Sequence, residues 1–514
     1  MATLVQTGDL TPVTISRMAA SSVNQIYNAL DCCLTFEIAE VLQTLCNEDP
    51  LIYRFERALQ APVLEMMQRG FKIDPLERST AAVEERATIA ALDIILQRYA
   101  MAIWDKPLNP RSTQQLQAFF YGRMRLPEQW TANKGKRTLS MNRESLEKLN
   151  NYFLAMPIVA CILAIRDHAK RLQLFETEID ADGRYRTSFN IAGTETGRFS
   201  SSKSQTGTGG NAQNISPGQR RIFEADPGYR LYGIDLEQAE SREVGWKCGL
   251  LFGEWAYYDA ALAGDLHTTA AKLVWPKLPW TGDGKKDKDI AEQPFYRHFT
   301  YRDMAKRGGH GSNYFGQPFS MARFLHVPKK VMEDFQRAYF DAFPGIPKWH
   351  RWVAGEIQTN MRLTTNFGRT RYFFGRTNDD STLREAIAFE PQSCTADRTN
   401  LVLWRIWKHM PQVQLLTQEH DAIYFQAREE LDPELVSAEA LAHFEIDFSH
   451  PSGRRLIVPG ECKVGWNKAS YVGLEEQARA ARAGKPIPRL NLNGLRKLKG
   501  PDSRIRETGL YRTL

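Results

Sequence analysis

The sequence predicts an α+β fold, on three observations. Helical periodicity runs through most of the first third of the chain. From Phe175 onward, short apolar strands and turn signals alternate with further helices. Two of these later strands run into an aspartate, Asp235 after LYGI and Asp421 in QEHDA, with a basic, glycine-bearing helix between them.

Taken in order, Tyr27 to Leu45 reads as an amphipathic helix, and Leu51 to Gly70 as a second one followed by the strand-like FKIDP. A long helix is predicted from about Leu76 to Ala102. LNPRSTQQLQAFFY is a turn and helix with Ser112 or Thr113 as N-cap, and NKGKR (Asn133 to Arg137) is a basic loop. Helices at Ser145 to Tyr152 and Val159 to Leu174 complete this third, which suits either a lever gripping a nucleic-acid backbone or an ordinary helical domain.

IDADGRYRTSFNI then predicts a hairpin turning at Asp182-Gly183. The Gly/Ser/Thr-rich stretch Gly193 to Asn214 reads as a loop, a flexible linker unless Arg198, Asn211, Gln213 and Asn214 meet base edges and sugars. Tyr229 to Ile234 is a strand that turns into a helix through DLEQAESREVGWKCG, and Pro276 to Glu292 a polar surface loop. Helices are expected at Pro328 to Tyr339 and Pro347 to Gln358, and a hairpin in TNFGRTRYFFGR. A long helix from Leu383 to His409 is expected to break near Pro391, before a strand, tight turn and strand around His420-Asp421. From Ala478 the chain carries Arg479, Arg482, Lys485, Arg489, Arg496, Lys497, Lys499, Arg504, Arg506 and Arg512 among few apolar residues. That tail reads as solvated and unstructured, with DNA contact as the sharper alternative.

Composition sets outer limits. A chain of 514 residues can bury several cores, and 42% hydrophobic with 25% charged residues is ordinary for a soluble globular protein. The net charge of +7 leans towards a polyanionic partner. No apolar run approaches the ~20 residues of a membrane span, and the first residues lack a signal-peptide pattern. The seven scattered cysteines include no CxxC pair, so neither zinc nor a disulfide framework is indicated, and an intracellular, cytoplasmic setting is the expectation.

The stretch Tyr301 to Gly316 places Arg302, Lys306, His310 and Tyr314 at every fourth position, one face of a helix. Gly308, Gly309 and Gly311 each cost a helix about 1 kcal/mol relative to Ala, which implies close approach or movement rather than a structural strut. Two cations, a histidine and a tyrosine on one face suit a triphosphate with a flat base behind it; a solvated basic helix is the bland alternative. Asp235 and Asp421, facing one another, would hold two divalent cations, and oxygen ligands with phosphate favour magnesium. With the basic helix they suggest phosphoryl transfer. A P-loop GxxxxGK[ST] is absent from the sequence. A glycosidase would also use two acids, but it leaves Arg302 and Lys306 unexplained.

These motifs, in this order, resemble family A DNA polymerases, the family of bacterial DNA polymerase I and many bacteriophage replicases. DLEQAESR (Asp235 to Arg242) is similar to motif A, RDMAKRGGHGSNYFG from Arg302 to motif B, and HDA from His420 to motif C. TGRFSS, NAQNI, DLHTTA and EPQSCTAD resemble further family segments, and the likeness extends from Tyr27 to Trp466. It implies a right-hand fold: a helical thumb over 51–175, an antiparallel palm over 176–245 and 395–470, helical fingers over 246–394, and a basic tail over 471–514. The implied activity is DNA synthesis from dNTPs on primer-template DNA with two Mg2+ ions.

The resemblance implies roles residue by residue. Asp235, Asp421 and the Leu236 carbonyl would bind metal. Arg302, Lys306 and His267 would hold the triphosphate, with Lys306 also a proton donor to pyrophosphate. Tyr314 would stack near the templating base, His310 would sit on the nucleotide side, and Gln238 and Glu240 would line the sugar, Glu240 excluding a 2′-hydroxyl. Arg198, Asn211, Gln213, Asn214, Arg384, Gln392 and His420 would contact DNA. His310, Ala422 and Glu237 depart from the usual motifs: the acid after the motif C aspartate is missing, and Glu237 is offered as its compensation. YNALDCCLT resembles the last motif of a 3′–5′ exonuclease domain, so 1–50 is expected to be a remnant in which Asp31 and Tyr27 do not proofread, unless a separate exonuclease chain completes the site. A separate processivity factor is a further candidate partner. The rival readings are a single-subunit RNA polymerase, against which Glu240 argues, and an inactive DNA-binding protein.

Overall fold

The computed structural model describes residues 20–45, 51–133, 136–296, 299–482 and 486–498. The chain divides into two units, Met1–Ala58 and Leu59–Leu514. The first holds α1 (Ala20–Leu45) and the opening turns of α2 (Leu51–Arg69). Tyr27, Leu34, Phe36, Ile38, Val41 and Leu42 of α1 are exposed.

In the second unit, α2 leads into β1 (Phe71–Ile73) and α3 (Pro75–Trp104). Asp74 starts α3 by accepting from the Leu76 and Glu77 N–H groups, with proline at the first turn, where a missing N–H costs nothing. Ser112 is the cap of α4 (Thr113–Gln117), accepting from the Gln115 N–H. NKGKR, expected as a loop, instead belongs to the hairpin β2 (Trp130–Asn133) and β3 (Lys136–Leu139), whose tip lies outside the described residues. Helices α5 (Arg143–Leu149) and α6 (Met156–Glu176) follow. Leu96 and Ala100 of α3, Phe119 and Phe120 in the turns after α4, and Ile158 and Ile162 of α6 form one buried core. By length and composition alone α3 is apolar enough to cross a membrane, a test that core helices of soluble proteins also pass. Here it lies along α6, with Arg86–Glu176 at 2.8 Å and Glu85 accepting from Arg171 at 2.9 Å.

The expected turn at Asp182-Gly183 is present, closed by the Gly183 N–H to the Asp180 carbonyl at 2.9 Å and the Asp180 N–H to the Arg184 carbonyl at 3.1 Å, but the strand after it pairs elsewhere. β4 (Arg184–Tyr185) pairs with β1, while β5 (Thr187–Asn190) pairs with β6 (Ser200–Lys203). The cause is aromatic packing: Tyr185 and Phe71 both meet the Phe223 ring edge-on, at 5.4 and 5.6 Å, which draws β4 to β1. β6 also means that the Gly/Ser/Thr stretch is not a plain linker.

Next come β7 (Phe223–Glu224), β8 (Tyr229–Leu236), α7 (Ala239–Phe252), α8 (Ala256–Leu262) and α9 (Leu266–Val274). The supposed surface loop contains α10 (Gly284–Ala291), whose Asp287 is buried and bonded to Lys272 at 2.5 Å and to the Thr281 N–H at 2.7 Å. After β9 (Pro294–Tyr296) and β10 (Phe299–Thr300) stands the glycine-bearing helix, α11 (Tyr301–Asn313). Thr300 caps it in a reciprocal box with Asp303. Its glycines permit close approach. A Cβ on Gly308 would stand 2.5 Å from the Phe335 ring.

The helices α12 (Pro318–Leu325), α13 (Lys329–Ala342) and α14 (Gly345–Thr359) pack on it, followed by the hairpin β11 (Arg362–Thr364) and β12 (Thr370–Tyr372). α15 (Asp380–His409) then runs unbroken through Pro391, where a break was expected. A mid-helix proline costs about 3 kcal/mol, and α15 offsets this by burying most of the turns around it, from Ala386 to Ile406. β13 (Val413–Glu419), β14 (Ala422–Arg428), α16 (Pro433–Ala442), β15 (Gly460–Gly465) and β16 (Asn467–Ser470) complete the sequence up to the tail.

The tail is not simply solvated. It forms α17 (Leu474–Arg482) and β17 (Gly494–Lys497), and β17 sits between β15 and β16. The sheet has nine strands in the order β13-β14-β8-β15-β17-β16-β7-β1-β4, antiparallel apart from β16 with β17. Lys485, Lys499, Arg504, Arg506 and Arg512 lie outside the described residues.

One buried ion pair pins the hairpin to α15. Arg369 Nη2 lies 2.8 Å from Asp397, whose side chain is fully buried. A Cβ on Gly197 (φ +78°) would meet that guanidinium at 2.5 Å. Asp397→Ala would leave the cation without its buried carboxylate, a loss of about 3–5 kcal/mol. The urea midpoint should drop accordingly, and an unchanged midpoint would refute this role.

Candidate active site

β8 and β14 are neighbours, with Asp235 directly opposite Ala422. Asp421 occupies the two-residue turn between β13 and β14, made possible by His420 in the left-handed region (φ 52°). The two predicted aspartates are thereby brought together at adjacent strand ends. Burial raises the Asp421 pKa against the opposing charge of Arg198, and both Glu240 and Asp235 push it further up. Asp235 is exposed, and desolvation raises its pKa against the pull of Lys463.

A cavity of about 360 Å³ lies over this point, lined by Leu236, Gln238, Glu240, His267, Lys306, His310 and Asp421 among others. Seven predicted site residues therefore share one space. Gln238 adopts φ 56° at the start of α7, donating to the Gly264 carbonyl at 3.2 Å. Glu240, two residues further, is held from two sides. Arg198 Nη2 is 2.6 Å away, and the Tyr314 hydroxyl donates to its other oxygen. Burial, then the Glu240 charge, drives the Tyr314 pKa well above its ordinary value, so this hydroxyl keeps its proton. The His310 ring meets Tyr314 edge-on at 4.9 Å.

Arg302 lies on the same helix but is engaged elsewhere. Its Nε and Nη2 donate to Asp265 at 2.8 and 3.1 Å. Asp265 also caps α9, and although burial opposes ionisation, these bonds hold its pKa at about 2. His267, two residues on, is lowered to about 4 by burial and then by the Arg302 charge, so it is neutral at pH 7. Asp265 was not singled out from the sequence as a partner for Arg302, although DLHTTA contained it.

The expected DNA contacts are more dispersed. Asn211 accepts from Ser201 Oγ at 2.7 Å and from the Gln213 N–H at 2.9 Å, which orders the turn carrying Gln213 and Asn214. Arg384 and Gln392 lie on α15 and are not among the cavity-lining residues, while His420 is exposed. Tyr27 and Asp31 lie on α1 in the separate unit, both exposed.

Behind the aspartates is a group that the sequence did not reveal. Lys468 is fully buried, bonded to Glu419 and ringed by Phe71, Phe223 and Tyr424 at 5.5, 5.5 and 4.6 Å. A single lysine in NKAS carries no sign of such burial. Among the described residues, no group of three or more His, Cys, Asp or Glu has metal-holding geometry.

The family described as DNA polymerase family A matches residues 80–278 and 284–468. The chain belongs to DNA polymerase family A. The interruption at 279–283 falls in the Pro276 to Glu292 insertion. Relatives include the thermostable DNA polymerase I of Thermus thermophilus, 27% identical over 448 residues, covering 83% of this chain and 49% of that protein. DNA polymerase I of Helicobacter pylori is 25% identical over 402 residues, covering 74% and 40%. The chain thus spans about half the length, or less, of these curated relatives. Among solved structures, the POL domain of Pol1 from M. smegmatis, in complex with DNA primer-template and dNTP, aligns with a TM-score of 0.68 at 21% identity, over 85% of this chain and 74% of that one. The fold is therefore the right-hand polymerase fold expected from the motifs.

The histidines give the site's surroundings a pH signature. His350 on α14 is buried, and burial lowers its pKa to about 4; its Nε2 lies 2.8 Å from the Asn313 carbonyl at the end of α11. Since an unfolded histidine titrates near 6.5, the unfolded chain binds the extra proton between those values. His350 stability is complete above about pH 6.5 and is lost as pH falls towards 4, at up to about 1.4 kcal/mol per pH unit. Relative to His350→Gln, the wild type should lose stability between pH 6.5 and 5. Parallel urea midpoints for the two proteins would contradict this.

Proposed function

We propose that this chain extends a DNA primer on a template, transferring nucleotides from dNTPs to the 3′-hydroxyl. The observation that carries the reading is the meeting of Asp235 and Asp421 at adjacent strand ends, with Asp421 lining a cavity that Lys306 and His310 also line. Family membership and the matched fold support it.

The donors present fit a hard divalent cation. Asp421 Oδ1 is buried and has no hydrogen-bond partner, although Arg198 lies 3.6 Å away. Asp235, Asp421 and the Leu236 carbonyl would hold two Mg2+ ions. Such a pair supplies charge stabilisation to the attacking and leaving oxygens, the general arrangement of polymerases and nucleases.

The chain's own groups do the rest. Lys306 would grip the triphosphate and donate a proton to departing pyrophosphate. Arg302, placed by Asp265, adds a second fixed cation on the same helix face, and neutral His267 offers a hydrogen bond rather than a charge. Glu240, fixed by Arg198 and Tyr314, would stand where a 2′-hydroxyl projects. Tyr314 and His310 would pack against base and sugar. Arg198, Gln213, Asn214, Arg384, Gln392 and His420 would track primer and template through the minor groove, whose acceptors vary little among correct pairs. The same reading assigns a thumb to 51–175, a palm to 176–245 and 395–470, and fingers to 246–394, with β17 of the tail joining the palm sheet.

Primer extension tests this reading. Asp235→Ala or Asp421→Ala should reduce extension to background while primer-template affinity changes by less than about threefold, because affinity rests on basic contacts. Robust synthesis by either variant would overturn it. Glu240→Ala should raise ribonucleotide use relative to deoxynucleotide use at least tenfold. An unchanged ratio would remove Glu240 as the sugar gate, and a wild type that prefers rNTPs would make this an RNA polymerase.

A further inference from the structure

We propose that Glu461 is a further metal-supporting carboxylate of this centre, reaching the cation beside Asp235 from β15. This inference rests on the reading above.

Strand register is the basis. β8 is flanked by β14 and β15, and Asp235 pairs with Ala422 on one side and with Glu461 on the other. Directly opposed residues share a sheet face, with Cβ atoms about 4.5–5.5 Å apart. The row continues to Glu419, which pairs with Ala422. One line across four strands therefore reads Glu419, Ala422, Asp235, Glu461.

Only one of the added acids is available. Glu419 is buried and committed to Lys468, with Arg220 3.6 Å away. Ala422 has no carboxylate to offer. Glu461 is part-exposed, and its ion contacts are long, 3.5 Å to Lys463 and 3.8 Å to Lys497. A close charge-assisted bond would measure about 2.7–2.9 Å. Two like charges directly opposite on a sheet are destabilising, and a shared divalent cation turns that repulsion into attraction. As the side chains lie, the described residues hold no three-acid metal group, so binding requires the Glu461 carboxylate, one methylene longer than that of aspartate, to turn from the two lysines towards Asp235.

Glu237, the acid that the sequence offered as compensation, is placed differently. It lies beyond the last residue of β8, its N–H donates to the Pro459 carbonyl, and its carboxylate is 3.8 Å from Lys497. It is outside the row.

Manganese binding to the full chain, followed by electron paramagnetic resonance, provides a readout independent of turnover. Glu461→Gln should weaken Mn2+ binding about five- to tenfold and raise the Mg2+ concentration for half-maximal extension by a similar factor. Primer-template affinity should not change. Moving the acid across the row, with Ala422→Glu in the Glu461→Gln background, should restore most of both. Wild-type Mn2+ affinity in Glu461→Gln would overturn the proposal. So would a lowered melting temperature with unchanged Mn2+ affinity, which would make Glu461 a structural partner of the two lysines. Asp235→Ala separates the premise from the inference: if it binds Mn2+ as the wild type does, the metal site itself is misassigned. If it loses Mn2+ while Glu461→Gln does not, only the role of Glu461 fails.

Discussion

The pairing of β8 with β14 is the constraint from which the rest of this molecule follows. It sets Asp235 opposite Ala422 and so places Asp421, one residue earlier, beside it. Two carboxylates from segments nearly two hundred residues apart cannot be held together by local structure. The hairpin turn at His420 and the strand end at Leu236 must both arrive in register. A slip of one residue would send the aspartate of either strand to the other face of the sheet.

That register is reinforced from behind. α7 leaves the end of β8, and α15 leads into β13. Lys247 of α7 bonds Glu390 of α15 at 2.6 Å, and Arg398 of α15 meets Glu243 of α7 at 3.3 Å, all four side chains buried or nearly so. Burial raises the pKa of both glutamates against the pull of their partners. Such pairs add little net stability compared with apolar packing, yet removing one partner is costly. They favour one axial position of α7 against α15, and hence one relation between the strands that carry the aspartates.

The sequence displayed the chemistry more clearly than the scaffold. Asp235, Asp421, Lys306 and His310 were legible because strand-end acids and a four-residue helical repeat are local patterns; Asp421, Lys306 and His310 line one cavity, and Asp235 ends the strand beside Asp421. Most helices were legible for the same reason. What stayed hidden depends on tertiary contact. β4 joined β1 through the aromatic cluster around Phe223, α15 continued through Pro391 because its surroundings are buried, and β17 emerged from a tail whose charge suggested no strand. Lys468, an ordinary lysine by sequence, became one of the most buried residues in the chain.

The cleft holds its charged groups in two linked sets. In one, Arg302 is bound by Asp265, which also caps α9. In the other, Glu240 ties Arg198 to Tyr314, with Arg198 extending towards Asp421. Both sets join α11 to neighbouring elements through side chains rather than backbone. Both put an anion of the protein beside a cation or hydroxyl suited to a nucleotide. A triphosphate entering the cavity would compete with Asp265 for Arg302, and its sugar would meet Glu240 already positioned by two partners. On the proposed function, nucleotide entry and the setting of α11 would be linked, because the helix that would recognise the phosphates is also held by Asp265, the acid those phosphates would displace.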